Sequence, residues 1–198
     1  GGDTYGGGIG NGSGASLELV NCGFAGNTSP HRGGGIFNTG NQAFLKNCIV
    51  WGNDAPDGAG IWNGALAGAL TSFSCVQGGY EGEGNIAEDP LFANAAAGDF
   101  RLLPGSPCID TGTLDGAPAA DLLGIPRPVG AGVDMGPYEL VPAGFVAVPD
   151  LSGLTRAEAE AALAAVGLAA GAVTEEYSSD VPAEIGRASC RERVSNCV

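Results

Sequence analysis

Positive charge is what this chain most lacks. Its 198 residues include one lysine, Lys46, and one histidine, His31, and eight Lys and Arg stand against 22 Asp and Glu, a formal net charge of −14. Nucleic acid and anionic membrane surfaces are gripped through clustered Lys and Arg, so neither is expected as a partner. The chain also lacks any apolar run near the roughly 20 residues that cross a bilayer, so no membrane insertion is expected. It opens at Gly1-Gly2-Asp3, with no initiating methionine and no signal peptide. That opening predicts a fragment whose N-terminal address label lies upstream. Cysteines paired a few residues apart, as zinc requires, are missing, and so is a compact calcium loop. No metal or cofactor is expected.

Glycine, by contrast, is abundant, with 36 copies, and much of it is locked to a repeat. Gly6-Gly7-Gly8-Ile9-Gly10-Asn11 returns as Gly33-Gly34-Gly35-Ile36-Phe37-Asn38 and, worn, as Gly58-Ala59-Gly60-Ile61-Trp62-Asn63. The isoleucines are 27 and 25 residues apart, and Cys22, Cys48 and Cys75 are 26 and 27 apart. Two independent markers sharing one period indicate a solenoid. Alternating apolar positions such as Cys22/Phe24 and Cys48/Val50 have the two-residue period of half-buried strands. The fold class predicted is mainly β: a right-handed parallel β-helix over residues 1–87. Equivalent residues should stack about 4.8 Å apart. Ile9/Ile36/Ile61 and Cys22/Cys48/Cys75 then line the inside, and Asn11/Asn38/Asn63 a turn. The glycines are expected to make the corners.

The Gly-Gly-Gly-Ile phrase and Phe24-Ala25-Gly26-Asn27 resemble the short repeats of polymorphic outer-membrane proteins, which are right-handed parallel β-helices. A third glycine stands where that family has alanine, and Val50 where it has phenylalanine. The three cysteines admit two readings, a disulfide between adjacent rungs or a ladder of small buried hydrophobes; the second is the expectation. Phe37 and Trp62 share one repeat slot, opposite in sense to the buried isoleucines, and Trp51 should point outward as well. These three are the candidate glycan-stacking residues, against the plainer reading that they pack beneath a neighbouring loop. His31, beside Arg32, sits at a turn where a solvated role is expected.

Residues 88–140 carry Asp89-Pro90-Leu91-Phe92, Gly98-Asp99-Phe100-Arg101-Leu102, Gly105-Ser106-Pro107-Cys108-Ile109-Asp110 and Val133-Asp134-Met135-Gly136-Pro137-Tyr138-Glu139. In this order they resemble the end of choice-of-anchor Q domain proteins, with Cys108 and Pro137 in place of small residues. The resemblance implies the last coils and cap of a secreted β-helix that precedes a surface-attachment module. Asp110, Asp121 and Asp134 are expected to be turn-formers bonding their own backbone.

A linker over 141–145 leads to an Ala- and Glu-rich module over 146–183. Thr155 and Glu158 form a capping box opening a helix whose apolar face carries Ala159, Ala162, Leu163 and Val166, with Gly167 as its C-terminal glycine. Strands are expected before it, Val146 to Pro149, and after it, Val173 to Ser178. The run Val148-Pro149-Asp150-Leu151-Ser152-Gly153-Leu154 through Gly167-Leu168 resembles a PASTA domain, one strand short of complete. That makes the second domain a small, incomplete α+β module. The resemblance implies an extracellular setting and association with peptidoglycan. Residues 184–198, Glu184 onward, read as a translated sequencing adapter fused to a truncated frame and are expected to be unstructured.

Three function classes follow. The first is a non-enzymatic bacterial surface or secreted protein: a monomeric β-helix scaffold or adhesin-like platform that binds cell-wall peptidoglycan or another polysaccharide. The second is a polysaccharide lyase or glycoside hydrolase whose catalytic residues lie outside this sequence. The third is an autotransported adhesin, which needs a β-barrel not seen here. Lyases need a basic residue beside acids, and hydrolases need flanking carboxylates. The repeats offer Arg32 and Lys46 as bases and Asp54 with Asp57 as an acid pair in a turn. The expectation is binding without catalysis, since a fold alone carries no chemistry.

Overall fold

A computed structural model describes residues 5–12, 14–65, 67–142, 146 and 148–171. The chain divides into two units, Gly1–Leu123 with Arg127–Leu140, and Gly124–Pro126 with Val141–Val198. In the first unit each repeat contributes three short strands. They are β1 (Ile9–Asn11), β2 (Leu17–Val20) and β3 (Gly23–Ala25), then β4 (Ile36–Asn38), β5 (Gln42–Lys46) and β6 (Ile49–Trp51), then β7 (Ile61–Asn63), β8 (Gly68–Ser72) and β9 (Cys75–Val76). No strand pairs with its sequence neighbour. The pairings give three parallel sheets, β1-β4-β7, β2-β5-β8 and β3-β6-β9. A parallel partner needs a long connection, and here the rest of the repeat supplies it. Ile9, Ile36 and Ile61 stand side by side in register, as do Leu19, Leu45 and Thr71. Leu19, Ile36, Ala43, Leu45, Cys48, Val50 and Val76 form the core between the sheets.

The glycine triplets have two physical causes. Gly6, Gly33 and Gly58 have φ of 78°, 64° and 61°, the left-handed region that corners require. The next two need room instead. A Cβ on Gly34 would lie 2.5 Å from the Ala59 carbonyl oxygen and 2.6 Å from that of Asp54, and one on Gly35 would lie 2.6 Å from Gly60 O. Each such Cβ would point into the following strand. Ala59 is tolerated in the third copy because β7 is the last strand of its sheet. Asparagines do more than turn the chain. Asn11 donates to Asn38 Oδ1 at 2.8 Å, and Asn38 to Asn63 Oδ1 at 2.9 Å, a ladder whose first two members are buried. Asn47 likewise donates to Asn21 Oδ1, and Asn27 to Asn53 Oδ1.

The cysteine ladder is corrected by one residue. Gly23 pairs with Ile49 and Ile49 with Cys75, so Ser74, not Cys75, continues Cys22 and Cys48. A one-residue offset turns a side chain to the opposite face of its sheet. Cys75 therefore leaves the inner core and joins Ile49, Leu102, Cys108 and Met135 in a second cluster, built with the closing segment. Ser74 takes the vacated place, its hydroxyl accepting from Cys48 N at 2.9 Å.

The closing segment has one antiparallel hairpin, β10 (Phe92–Asn94) and β11 (Asp99–Leu102). With so little ladder, its amides are satisfied by carboxylates. Asp121 behaves as a turn-former, accepting from Leu123 N, but it also accepts from Glu139 N. The turn-former expectation fails for the other two. Asp110 Oδ1 accepts from Ala131 N and Gly132 N, and buried Asp134 accepts from Asp110 N and Leu140 N. They bracket distant strands of chain because no neighbouring backbone is placed to do so. At their centre Glu139 takes Arg127 Nη1 and the amides of Asp134 and Val129, all buried or nearly so. Arg127 also donates to Asp134 O and Gly136 O.

Burial pushes the Asp134 carboxyl up to about 6, against the opposing pull of the Leu140 and Asp110 amides. Its proton affinity is thus higher folded than unfolded, so its favourable contribution is complete below about pH 4 and is lost as pH rises through about 6. Urea midpoints should fall between about pH 5 and about pH 7 by more in the parent than in Asp134→Asn. An equal fall in both would overturn this assignment.

In the second unit, helix α1 (Arg156–Ala165) starts at Thr155, whose side chain accepts from Glu158 N while the Glu158 carboxylate accepts from Thr155 N. It ends with Gly167 N donating to Ala164 O and Leu168 N to Leu163 O, Gly167 having φ of 77°. These are the two bonds of a Schellman motif. Ala159, Ala162 and Leu163 are half-buried, whereas Val166, at the C-cap, is exposed. No strand forms among the described residues of Val146 to Pro149. The strand expected at Val173 to Ser178 and the tail from Glu184 lie outside the described residues.

Candidate functional site: an aromatic column

The outward slot of the first sheet reads Gly10, Phe37, Trp62, three residues in register across β1, β4 and β7. Parallel in-register strands hold equivalent side chains one strand spacing apart, which for flat rings is a stacking distance. Phe37 and Trp62 stack with centroids 4.8 Å apart and planes 7° apart. Gly10 has no ring, and Tyr5 fills the vacancy, stacking on Phe37 at 4.8 Å and 20°. The result is a continuous column of Tyr5, Phe37 and Trp62.

A polar margin runs beside it. The Arg32 guanidinium carbon lies 4.7 Å from the Trp62 centroid, and Arg32 Nε is 3.3 Å from Asp57 Oδ2. Trp62 Nε1 donates to the same Asp57 oxygen at 2.8 Å. His31 adds a ring 5.4 Å from Tyr5. Tyr5, Arg32 and Asp57 each stand five residues before the slot, so they form a second column at the adjacent corner. Arg32 and Asp57 pair there as a parallel bridge. Because Phe37 has a ring on either side, the column offers ring edges and its terminal faces rather than three separate faces.

The structure thus brings Phe37 and Trp62 together and leaves Trp51 out. Trp51 does point away from the inner core, as expected, but the closing segment covers that face. It packs half-buried on the second cluster, alongside Phe92 and Ile109. Sequence reasoning missed Tyr5 and Asp57 as members of the site. The available signal was the constant five-residue offset, which recurs with the same spacing as the isoleucines.

A second surface is the outer face of β2-β5-β8. An open cleft of about 350 Å³ is lined there by Glu18, Val20, Phe44, Lys46, Leu70 and Ser72. Phe44 and Leu70 are exposed, and Lys46 Nζ is held 2.6 Å from Asp115 Oδ2. Among the described residues, no group of three or more His, Cys, Asp or Glu is placed to hold a metal ion. Nor does any helix there have the length and apolarity to cross a membrane.

Comparison with known proteins finds one family. The sequence model of the PASTA domain matches residues 146–186, three residues past the boundary expected above and spanning α1 with both its caps. No curated protein and no solved structure matches the chain.

Proposed function

We propose that this chain is a non-enzymatic, secreted or cell-surface bacterial protein. In this reading the first unit is a right-handed parallel β-helix of the choice-of-anchor Q kind, serving as a monomeric scaffold or adhesin-like platform. The second is a PASTA module that associates the scaffold with cell-wall peptidoglycan. The observation that carries it is the PASTA match over residues 146–186. In-register parallel pairing across three repeats supports the scaffold, because it gives a stiff surface on which a column of side chains can be displayed. The chain should co-sediment with insoluble peptidoglycan, and a version ending at Leu140 should remain in the supernatant. Co-sedimentation that survives the truncation would reject the module's role. New reducing ends or unsaturated sugars on pectin, alginate or peptidoglycan would reject the non-enzymatic reading.

The aromatic column is the place for a glycan contact on the scaffold. Phe37→Ala and Trp62→Ala should each weaken retention on a polysaccharide column several-fold, in line with about 1 kcal/mol per stacked ring. Trp51→Ala should leave retention unchanged and lower stability by about 2 kcal/mol, roughly half the cost at a fully buried site. Retention that is unmoved by the first two substitutions would remove the column from the binding surface.

A further inference from the structure

The one-residue offset of Cys75 sorts four cysteines into two couples. Cys22 and Cys48 hold one position in consecutive repeats, since Gly23 and Ile49, the residues after them, are register partners. Ile49 N donates to Cys22 O at 2.9 Å across the two rungs. Their side chains run parallel, each Sγ lying 3.3 Å from the carbonyl oxygen two residues earlier, Val20 O and Lys46 O. Both sulfurs pack on the inner core. Adjacent strands are about 4.8 Å apart, inside the roughly 4.4–6.8 Å between Cα atoms that a disulfide spans. Neither cysteine lies within a strand; both follow the left-handed corners Asn21 and Asn47, so a bond between them breaks no strand pairing.

The couple is asymmetric. Cys22 is half-buried and Cys48 fully buried. The Cys48 thiol beside it holds Cys22 down at about 7, while Cys22 and burial push Cys48 well above the usual thiol range. The reachable sulfur is thus also the one with thiolate character at neutral pH, the form that reacts.

We propose that Cys22 and Cys48 form a thiol–disulfide exchange site that takes a low-molecular-weight disulfide and closes to an inter-repeat disulfide. The Cys22 thiolate attacks one sulfur of the reagent, forming a mixed disulfide and expelling one thiolate. Cys48 gives its proton to that thiolate, attacks Cys22 Sγ and expels the second. Two cysteine thiols are oxidised by two electrons, the reagent disulfide is reduced to two thiols, and no other oxidant takes part. Cys75 and Cys108 are the internal control. They meet in the second cluster with both side chains fully buried, so a reagent has no path to either sulfur in the folded chain.

The test uses the full chain carrying Cys190→Ser and Cys197→Ser, incubated folded with oxidised glutathione, then alkylated and digested with trypsin. Cleavage after Arg32, Lys46 and Arg101 puts Cys22, Cys48 and Cys108 in separate peptides. Fragmentation separates Cys48 from Cys75 within theirs. The expected result is a Cys22–Cys48 cross-link with Cys75 and Cys108 alkylated, Cys22 losing its thiol roughly tenfold or more faster than Cys75. Cys48→Ser should stop the reaction at a glutathione adduct on Cys22, and Cys22→Ser should leave Cys48 alkylated. Three results would each overturn the proposal. One is a stable glutathione adduct on Cys22 in the parent without a cross-link. Another is an unreacted Cys22 in a chain whose circular dichroism is unchanged. The third is a Cys75–Cys108 cross-link forming as fast as the first.

Discussion

Glu139→Gln should cost about 3–5 kcal/mol of stability, most of what an ordinary domain possesses. Glu139 is buried, and its two oxygens receive Arg127 Nη1, Asp134 N and Val129 N. The amide keeps one acceptor and turns a donor toward one of these donors. It also removes the charge opposite Arg127, whose side chain is 1% exposed. A buried guanidinium without a counter-charge costs far more than a lost hydrogen bond, because water cannot reach it to solvate the charge. Arg127→Met should be costly for the mirror-image reason, leaving Glu139 ionised and buried. The double substitution Arg127→Met with Glu139→Gln should recover part of the loss, since neither charge then remains. Urea unfolding followed by tryptophan fluorescence reads all three. A loss below about 1 kcal/mol for Glu139→Gln would place this pair among the exposed ion pairs, whose worth is of that order.

Gly34→Ala has the second largest expected effect, about 1–3 kcal/mol or more, the range for forcing extra atoms into a packed interior. The added Cβ would sit 2.5 and 2.6 Å from two backbone carbonyl oxygens of the following rung. Flexible side chains could move aside, but these oxygens belong to the chain of the next repeat, so the rungs themselves must part. Gly60→Ala is the matched control. A Cβ there meets nothing closer than Val50 Cγ1 at 3.4 Å, an ordinary contact, and the variant should be nearly neutral. Neither Gly34 nor Gly60 has positive φ, so the difference isolates rung-to-rung approach from backbone strain. Equal midpoints for the two variants would remove close approach as the reason for the glycine triplets.

The two variants also separate what could be read in the repeats from what could not. The period was legible, and with it the parallel pairing of Ile9, Ile36 and Ile61, because a period of 25 to 27 residues is written in residue identity. The helix boundaries Thr155 and Gly167 were legible because capping depends on residues three or four apart. The candidate site was half legible. Phe37 and Trp62 were visible as a shared slot, but Tyr5 joins their column only because Gly10 leaves a space that a corner residue can reach.

By itself the sequence determined the repeat, the sheet alternation, the acidic surface and the helical module, all of which rest on local or periodic patterns. Tertiary structure decided the rest. It placed Cys75 on the opposite face from Cys48, because backbone register and not cysteine spacing sets which way a side chain points. It put Trp51 beneath the closing segment, because an outward-facing residue stays exposed only where nothing packs over it. It also made Asp110, Asp134 and Glu139 into brackets for distant backbone amides, because a segment with few strands must satisfy its amides with side chains brought together by folding.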